Sequence, residues 1–250
     1  MAGLTPAIIF LDMGMMDTAP SVYRIDRLEL CFKPKPWAFA QERRAEIEAF
    51  FAALKREKPA VWNGRVLLLY RQALSDGALR GDYLETDYAS FAAWHRCGRP
   101  PAGVRDCFGA AAVLSADGAF LLGVMGAHTF NAGQIYFPCG TPDPADIAGG
   151  KVDLDFSIRR ELNEETGFDA TEFTPEPGWT IVVDGALIAA IKVLRSGENA
   201  EALRRRALEK LARDAQPEFS GIRIVRGAAD LDPAMPRYVV AFLKDRWRGA

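Results

Sequence analysis

Hydrophobic and polar residues in the second half of the chain follow strand and helix periods in turn. The apolar stretch of residues 107–125 predicts a β-hairpin that turns at Ala116-Asp117-Gly118. After it, continuous apolar runs predict strands, and apolar residues three or four apart predict helices. In chain order these are residues 134–138 (strand), 155–166 (helix), 179–197 (one or two strands), 199–215 (helix), 221–225 (strand) and 235–247 (helix). The mixture favours an α+β fold in which helices cover a mixed sheet.

The first half of the chain shows the same two periods. Residues 23–32 alternate as a strand, and residues 36–57 carry apolar side chains at helical spacing behind Pro36. Residues 63–95 predict a strand, a turn, a second strand and a short helix. This half is therefore also expected to contain both strands and helices.

A boundary is predicted between the two halves. Glycine, proline and arginine are concentrated in residues 95–106, and this composition is typical of a connecting segment. With 250 residues, the chain can bury a sizeable core as one large domain or as a domain with an extension. We predict an N-terminal extension, residues 1–105, followed by a second domain, residues 106–250.

Charge and hydrophobicity exclude several classes of partner. The formal net charge of −2 gives no electrostatic reason to expect binding to nucleic acid or to an acidic membrane surface. The start of the chain has an apolar patch, but no basic segment precedes it and Asp12 interrupts it. No signal peptide is predicted, and no apolar run approaches the length of a membrane span. We therefore expect a small-molecule partner bound at a specific site.

The cysteines indicate a reducing compartment. Cys31, Cys97, Cys107 and Cys139 lie far apart and form no C-x-x-C pair, so neither a zinc site nor a disulfide framework is indicated. We predict a cytoplasmic protein.

Three glutamates lie close together in the sequence RRELNEETGF, residues 159–168. At about 100° of rotation per residue, Glu161, Glu164 and Glu165 project from one face of the predicted helix. A solvated helix face usually intersperses opposite charges, as the basic run of residues 203–210 is expected to do. Like charges packed this closely cost stability unless a cation lies among them, and hard oxygen ligands suit Mg²⁺ or Mn²⁺. The stretch therefore predicts a divalent-metal site.

Neighbouring residues support a helix with defined ends. Arg160 stands four residues before Glu164 and can pair with it. Gly167 is placed to end the helix in a left-handed conformation, which needs no Cβ. Asp153 is interpreted as the N-cap residue rather than as a metal ligand.

Residues 160–168 resemble the second half of the Nudix box, written R-E-U-x-E-E-x-G-U, where U is a bulky apolar residue. The positions that the pattern specifies are all met, by Arg160, Glu161, Leu162, Glu164, Glu165, Gly167 and Phe168. Such a match is a specific signal. The resemblance implies a Nudix-type α/β/α sandwich with a mixed sheet in residues 106–250, preceded by the α/β extension.

The first half of the box departs from the family's form, in which G-x5-E stands seven residues before the arginine. Gly140 and Asp146 fit this pattern with aspartate in place of glutamate, but thirteen residues separate Asp146 from Arg160. We interpret six residues of this gap as an insertion, because loops tolerate added length cheaply. The alternative alignment on Gly149-Gly150 leaves the spacing too short.

The resemblance implies a pyrophosphatase that hydrolyses a nucleoside diphosphate linked to another moiety, as in nucleotide sugars, ADP-ribose or coenzyme A. Glu161, Glu164 and Glu165, with the backbone carbonyl of Gly140, would hold Mg²⁺ or Mn²⁺ against the pyrophosphate. Arg160 would orient a glutamate.

Several alternatives stay open from the sequence. The family often takes a further carboxylate from outside the box, and Glu218 is the candidate base, although a surface role is equally compatible. The extension is expected to shape either the substrate pocket or a homodimer interface. Trp62, like the other tryptophans, is interpreted as a core residue, with stacking on a nucleobase as the alternative. The competing function is a non-catalytic Nudix-fold module that binds a nucleotide or a partner.

Overall fold

The computed structural model describes residues 19–248 and confirms the predicted α+β class. The stretch examined for a signal peptide lies outside the described residues, except for its last two positions. The helices are α1 (Ala38–Glu42), α2 (Arg44–Glu57), α3 (Tyr88–Arg96), α4 (Leu154–Thr166), α5 (Ala200–Leu211) and α6 (Arg237–Arg248). The strands are β1 (Ser21–Ile25), β2 (Arg27–Phe32), β3 (Arg65–Ser75), β4 (Ala78–Asp87), β5 (Asp106–Leu114), β6 (Phe120–Met125), β7 (Ile135–Tyr136), β8 (Cys139–Gly140), β9 (Ile147–Ala148), β10 (Lys151–Val152), β11 (Thr174–Pro175), β12 (Trp179–Asp184), β13 (Leu187–Arg195) and β14 (Phe219–Val225).

The larger sheet is mixed. Its main strands lie in the order β1-β12-β13-β5-β6-β14, and the short strands β7, β8 and β11 pair with β6, β5 and β13. The central pair, β13 and β5, is parallel, whereas its neighbours β12 and β6 pair antiparallel. The predicted hairpin of residues 107–125 is confirmed as β5 and β6.

Helices cover both faces of this sheet. At Gly109 of β5 an added Cβ would lie 3.0 Å from the Leu154 carbonyl oxygen, so the glycine lets α4 approach closely. The preceding residue, Phe108, points to the other face because side chains alternate along a strand. There its ring packs edge to face against Tyr238 of α6, with ring centroids 5.6 Å apart. The strand is therefore held between α4 and α6.

The smaller sheet combines the N-terminal strands with the segment that was interpreted as an insertion. Its order is β3-β4-β2-β10-β9. Strands β9 and β10 form a tight hairpin that turns at Gly149 and Gly150, whose φ angles of 57° and 78° favour glycine. Lys151 pairs with Cys31 of β2, and Phe32 N–H donates to the Gly150 carbonyl over 2.9 Å. The added residues thus tie the loop before α4 to the N-terminal half.

Strand pairing crosses the boundary predicted at residue 105 in both directions. The N-terminal strand β1 pairs with β12 of the larger sheet, and β10 pairs with β2 of the smaller one. Leu67 N–H of β3 also donates to the Pro142 carbonyl over 2.7 Å. The division into 1–105 and 106–250 stays a prediction, and the two parts share hydrogen bonds on several strands.

Two predicted elements are each divided in the structure. The strand of residues 23–32 is interrupted at Asp26, because the chain passes there from the larger sheet to the smaller one. The helix of residues 36–57 is broken at Arg43, whose φ of −109° and ψ of 23° leave helical geometry. Alternation and spacing alone do not show such changes of sheet or direction.

Two further observations bear on the expected surroundings. Within residues 19–248, no helix is long and apolar enough to cross a bilayer. The four cysteines are free.

Candidate metal and active site

Helix α4 has the two caps predicted from the sequence, and it begins at Leu154, one residue before the predicted start. The Asp153 side chain accepts a hydrogen bond from Phe156 N–H over 3.0 Å, which caps the first turn. Gly167 has a φ of 74°, and its N–H donates to the Asn163 carbonyl. The capping function of Asp153 and the left-handed end at Gly167 are therefore confirmed.

Two of the three box glutamates turn inward against strand β8. Cys139 N–H donates to Glu165 Oε2 over 3.1 Å, and Glu165 is 3% exposed. A Cβ added to Gly140 would lie 2.5 Å from the carboxyl carbon of Glu161, so only glycine leaves room for that carboxylate. The third, Glu164, is 58% exposed. The structure thus brings Glu161 and Glu165 to the loop that contains Gly140 and leaves Glu164 at the rim.

Arg160 holds the opposite side of this cluster together. Its guanidinium lies 2.8 Å from Glu161 and 3.4 Å from Glu164, so the predicted pairing with Glu164 is confirmed. It also lies 3.2 Å from Asp146, whose side chain is fully buried. Asp146 is the residue that the preferred alignment places at the first acid of the box. Arg160 therefore positions Glu161 and binds the inserted loop to α4.

The carboxyl groups of the site hold their protons more tightly than ordinary carboxyl groups do. Burial, followed by the neighbouring charges of Glu164 and Glu218, raises the pKa of Glu161 to about 7, although Arg160 opposes this shift. Burial, together with the charge of Glu161, raises the pKa of Glu165 well above its usual range. Burial and like charges disfavour the ionised form of a carboxyl group. The positive charge of Arg160 does not outweigh these two effects at Glu161.

Glu218, predicted as the carboxylate from outside the box, lies in the same cluster. Its pKa is raised by burial and then by the charge of Glu164, and His128 opposes this rise. The Glu218 carbonyl accepts from Gly126 N–H over 2.7 Å, which fixes the chain just before β14. Glu218 itself is exposed, on the bend that precedes β14, so the surface role stays open beside that of a base. Its role as a base stays a prediction.

Sequence reasoning missed Tyr88, which comes from the N-terminal half. Burial and the nearby charge of Glu218 raise the pKa of its phenol. Tyr88 stands at the start of α3, and its contact with the site depends on how the two halves pack. No local pattern in residues 63–95 could have indicated it.

The donors fit a hard divalent cation in type and charge. Glu161, Glu164, Glu165 and Glu218 offer carboxylate oxygens, and the Gly140 backbone lies against Glu161. In the part of the chain that the structure describes, no three acidic, histidine or cysteine side chains converge as a ready-made metal site. A cation would therefore have to draw these side chains together, replacing their mutual repulsion with coordination.

Comparisons with known proteins give likenesses of fold only. No family model matches the chain, and no curated protein matches it in sequence. A solved Nudix hydrolase from M. Smegmatis, RenU, shares 16% identity at a TM-score of 0.36, covering 57% of this chain and 82% of that one. The MutT protein from Methanosarcina mazei Go1 shares 18% identity at a TM-score of 0.36, covering 58% and 96%.

The C-terminal domain of mouse MUTYH, solved in complex with human PCNA, shares 16% identity at a TM-score of 0.34, covering 57% of this chain and 89% of that one. The solved structures that the chain resembles thus include a protein named as a Nudix hydrolase. At such TM-scores these likenesses carry no weight for activity, substrate or metal. The functional interpretation rests on the residues of the site.

Proposed function

We propose that the chain is a metal-dependent Nudix pyrophosphatase that hydrolyses a nucleoside diphosphate linked to another moiety. The observation that carries the proposal is that the largely buried Glu161, 13% exposed, and the buried Glu165 lie against strand β8, where burial and neighbouring carboxylates raise their pKa values. Buried carboxylates with strongly shifted pKa values are costly for stability and are typical of functional sites. A Mg²⁺ or Mn²⁺ ion is the counter-charge that such a cluster would take.

Each residue has a distinct task in this proposal. Glu161, Glu164 and Glu165 hold the metal, with the Gly140 carbonyl. When bound, the cation neutralises pyrophosphate charge and lowers the pKa of a coordinated water. Arg160 orients Glu161 through their 2.8 Å contact. Glu218 acts as the general base, since a raised pKa brings a carboxyl group nearer to the operating pH.

The remaining parts of the proposal concern surroundings. The substrate is a small nucleotide derivative of the nucleotide sugar, ADP-ribose or coenzyme A type. We place the protein in the cytoplasm, where free cysteines are stable. A homodimer formed through the N-terminal half is the expected assembly, and size-exclusion chromatography with light scattering would measure it.

Phosphate-product release tests the activity. Nucleotide sugars, ADP-ribose, dinucleotides, coenzyme A and nucleoside triphosphates are each incubated with Mg²⁺, with Mn²⁺ and with chelator. Glu161→Gln and Glu165→Gln run beside the parent, and Glu201→Gln on α5 serves as the control because that glutamate is exposed. Metal-dependent turnover that only the first two variants lose supports the proposal.

A non-catalytic nucleotide-binding module is the second candidate. It is favoured by one observation, the lack of three converging metal-ligating side chains within residues 19–248. This candidate predicts that nucleotides bind equally well with chelator and with metal, and that no substrate is turned over. The same panel therefore separates the two functions.

A further inference from the structure

Trp62 is the most exposed large apolar side chain among the described residues. Its side chain is 78% exposed, whereas Phe156 is 49% and Leu208 is 36% exposed. The ring rests over Gly64, where an added Cβ would lie 2.5 Å from ring atom Cζ3. One face of the indole is thus supported by backbone and the rest is open to solvent. The prediction of a core role for Trp62 is wrong.

The loop that carries Trp62, residues 58–64, is fixed at both ends. At its start, Lys58 Nζ donates to the Thr129 carbonyl. At its end, the Gly64 carbonyl accepts from Tyr88 N–H over 2.8 Å. The Asn63 side chain also accepts from Ala89 N–H over 2.8 Å. The tryptophan is therefore presented from an anchored loop.

Both anchors of this loop lie beside the proposed active site. Thr129 N–H donates to the Gly126 carbonyl over 3.1 Å, and Gly126 N–H donates to the Glu218 carbonyl over 2.7 Å. Tyr88, the other anchor, is near enough to Glu218 for the carboxylate to act on its phenol. The loop of residues 58–64 is thus connected to the surroundings of Glu218 at both ends, through Thr129 at its start and through Tyr88 at its end.

We propose that Trp62 is a base-binding residue that stacks on the nucleobase of a nucleoside diphosphate whose phosphates lie at the α4 glutamates. The inference rests on the proposed function and adds to it that the N-terminal half supplies the base-recognition surface. An exposed indole on an anchored loop beside a phosphate site is suited to any base, since every base has a π-face. It gives no preference for the group on the far side of the pyrophosphate.

Two non-hydrolysable probes separate base recognition from phosphate recognition. Binding of α,β-methylene-ADP and of methylenediphosphonate, which lacks the nucleoside, is measured by calorimetry with Mg²⁺. We expect Trp62→Ala to raise the Kd for α,β-methylene-ADP about tenfold, or roughly 1.4 kcal/mol. The Kd for methylenediphosphonate should not change. Trp62→Phe should stay close to the parent, because it keeps an aromatic face.

Leu208→Ala on α5 is the matched control, since it removes another partly exposed apolar side chain. Equal Kd values for α,β-methylene-ADP in the parent and in Trp62→Ala would overturn the inference, as would weakening of both probes alike or no nucleotide binding by the parent. Turnover by the parent with an unchanged KM in Trp62→Ala would leave the pyrophosphatase standing and the inference rejected. Nucleotide binding that depends on Trp62, without turnover of any substrate, would support the Trp62 inference and reject the pyrophosphatase proposal.

Discussion

Helices α4 and α5 are both rich in charge, yet their charges lie in opposite environments. On α5 the charged groups meet opposite partners near solvent: Arg206 contacts Glu172 and Glu198, and Lys210 lies 2.8 Å from Asp214. The solvated face predicted for residues 203–210 is confirmed. On α4, by contrast, two carboxylates are turned into the protein.

The pKa values follow this difference. A hydrogen bond from Arg206 lowers the pKa of Glu172, and one from Lys210 lowers that of Asp214. Burial raises the pKa of Glu161 and of Glu165. Ion pairs of the first kind add little to stability, while buried like charges oppose it. The proposed cation would offset this unfavourable burial of like charges on α4.

Glu165→Gln should give the largest effect and would test this contrast directly. We expect metal-dependent turnover to fall about a thousandfold, because a charged ligand is lost, while thermal stability in chelator stays equal or rises. The exposed Glu201→Gln on α5 should change neither. Product release and thermal unfolding measure the two quantities. If Glu165→Gln keeps the turnover of the parent, the Glu165 carboxylate on α4 has no role in the reaction.

Asp146→Ala should destabilise the fold by on the order of 3 kcal/mol, because it removes a fully buried carboxylate that pairs with Arg160 and accepts from Asp143 N–H. Glu198→Ala, which breaks the pair with Arg206 beside α5, should cost less than about 1 kcal/mol. Urea unfolding at neutral pH gives both values. Similar losses from the two substitutions would mean that the α4 pair is no more important than a surface pair.

Stability in chelator should fall as the pH rises from about 6.5 to 8. The folded pKa values of Glu161 and Glu165 are raised, so the folded state holds protons that the unfolded state has released. Their stabilising contribution is present below the unfolded pKa and is lost as pH rises through the folded one. Glu161, with a pKa of about 7, contributes a decrease on the order of 1 kcal/mol, and Glu165 adds to it. Urea unfolding at several pH values measures it.

His95 acts in the opposite direction at lower pH. Burial, followed by the charge of Arg99, lowers its pKa to about 4, so its contribution is lost as pH falls from about 6.5. The window above pH 6.5 therefore isolates the carboxylates. Saturating Mg²⁺ should flatten the decline, and Glu165→Gln should reduce it. A stability that rises across this window in chelator would contradict the buried-carboxylate interpretation.

Gly140→Ala should give the smallest of these effects, a loss of about tenfold in kcat/KM. The added Cβ would displace the Glu161 carboxylate and so disturb the proposed site. Because the Glu161 side chain is flexible, it can move at little cost to folding. Gly221→Ala is the control, because a Cβ there meets no atom within 4 Å. Steady-state kinetics measures kcat/KM for Gly140→Ala and Gly221→Ala, and thermal unfolding shows whether either variant is destabilised. A similar loss of kcat/KM in both variants would contradict a specific effect on Glu161.

The sequence predicted the parts of the fold that depend on near neighbours. The ends of α4 at Asp153 and Gly167 follow from capping chemistry, and the hairpin of β5 and β6 follows from alternation around a turn. The spacing of Glu161, Glu164 and Glu165 predicted one shared helix face, but it did not show that Glu161 and Glu165 turn inward while Glu164 stays exposed. Each of the predicted features is specified within one or two turns of chain.

The features that were missed depend on contacts between distant segments. The passage of the chain between sheets at Asp26, the pairing of Lys151 with Cys31, and the approach of Tyr88 to Glu218 join residues far apart in sequence. Local periodicity contains no information on such pairs. The exposure of Trp62 belongs to the same class, since hydrophobicity alone suggests burial.

Titration of Mn²⁺ into the protein at pH 7.5, followed by calorimetry, tests most directly whether the α4 carboxylates form a cation site. We predict saturable binding by the parent with release of protons, because raised carboxyl pKa values leave protons to be displaced. Glu165→Gln should bind at least about tenfold more weakly, and Glu201→Gln should match the parent. Equal binding by the parent and Glu165→Gln, or no binding by the parent, would contradict the assignment.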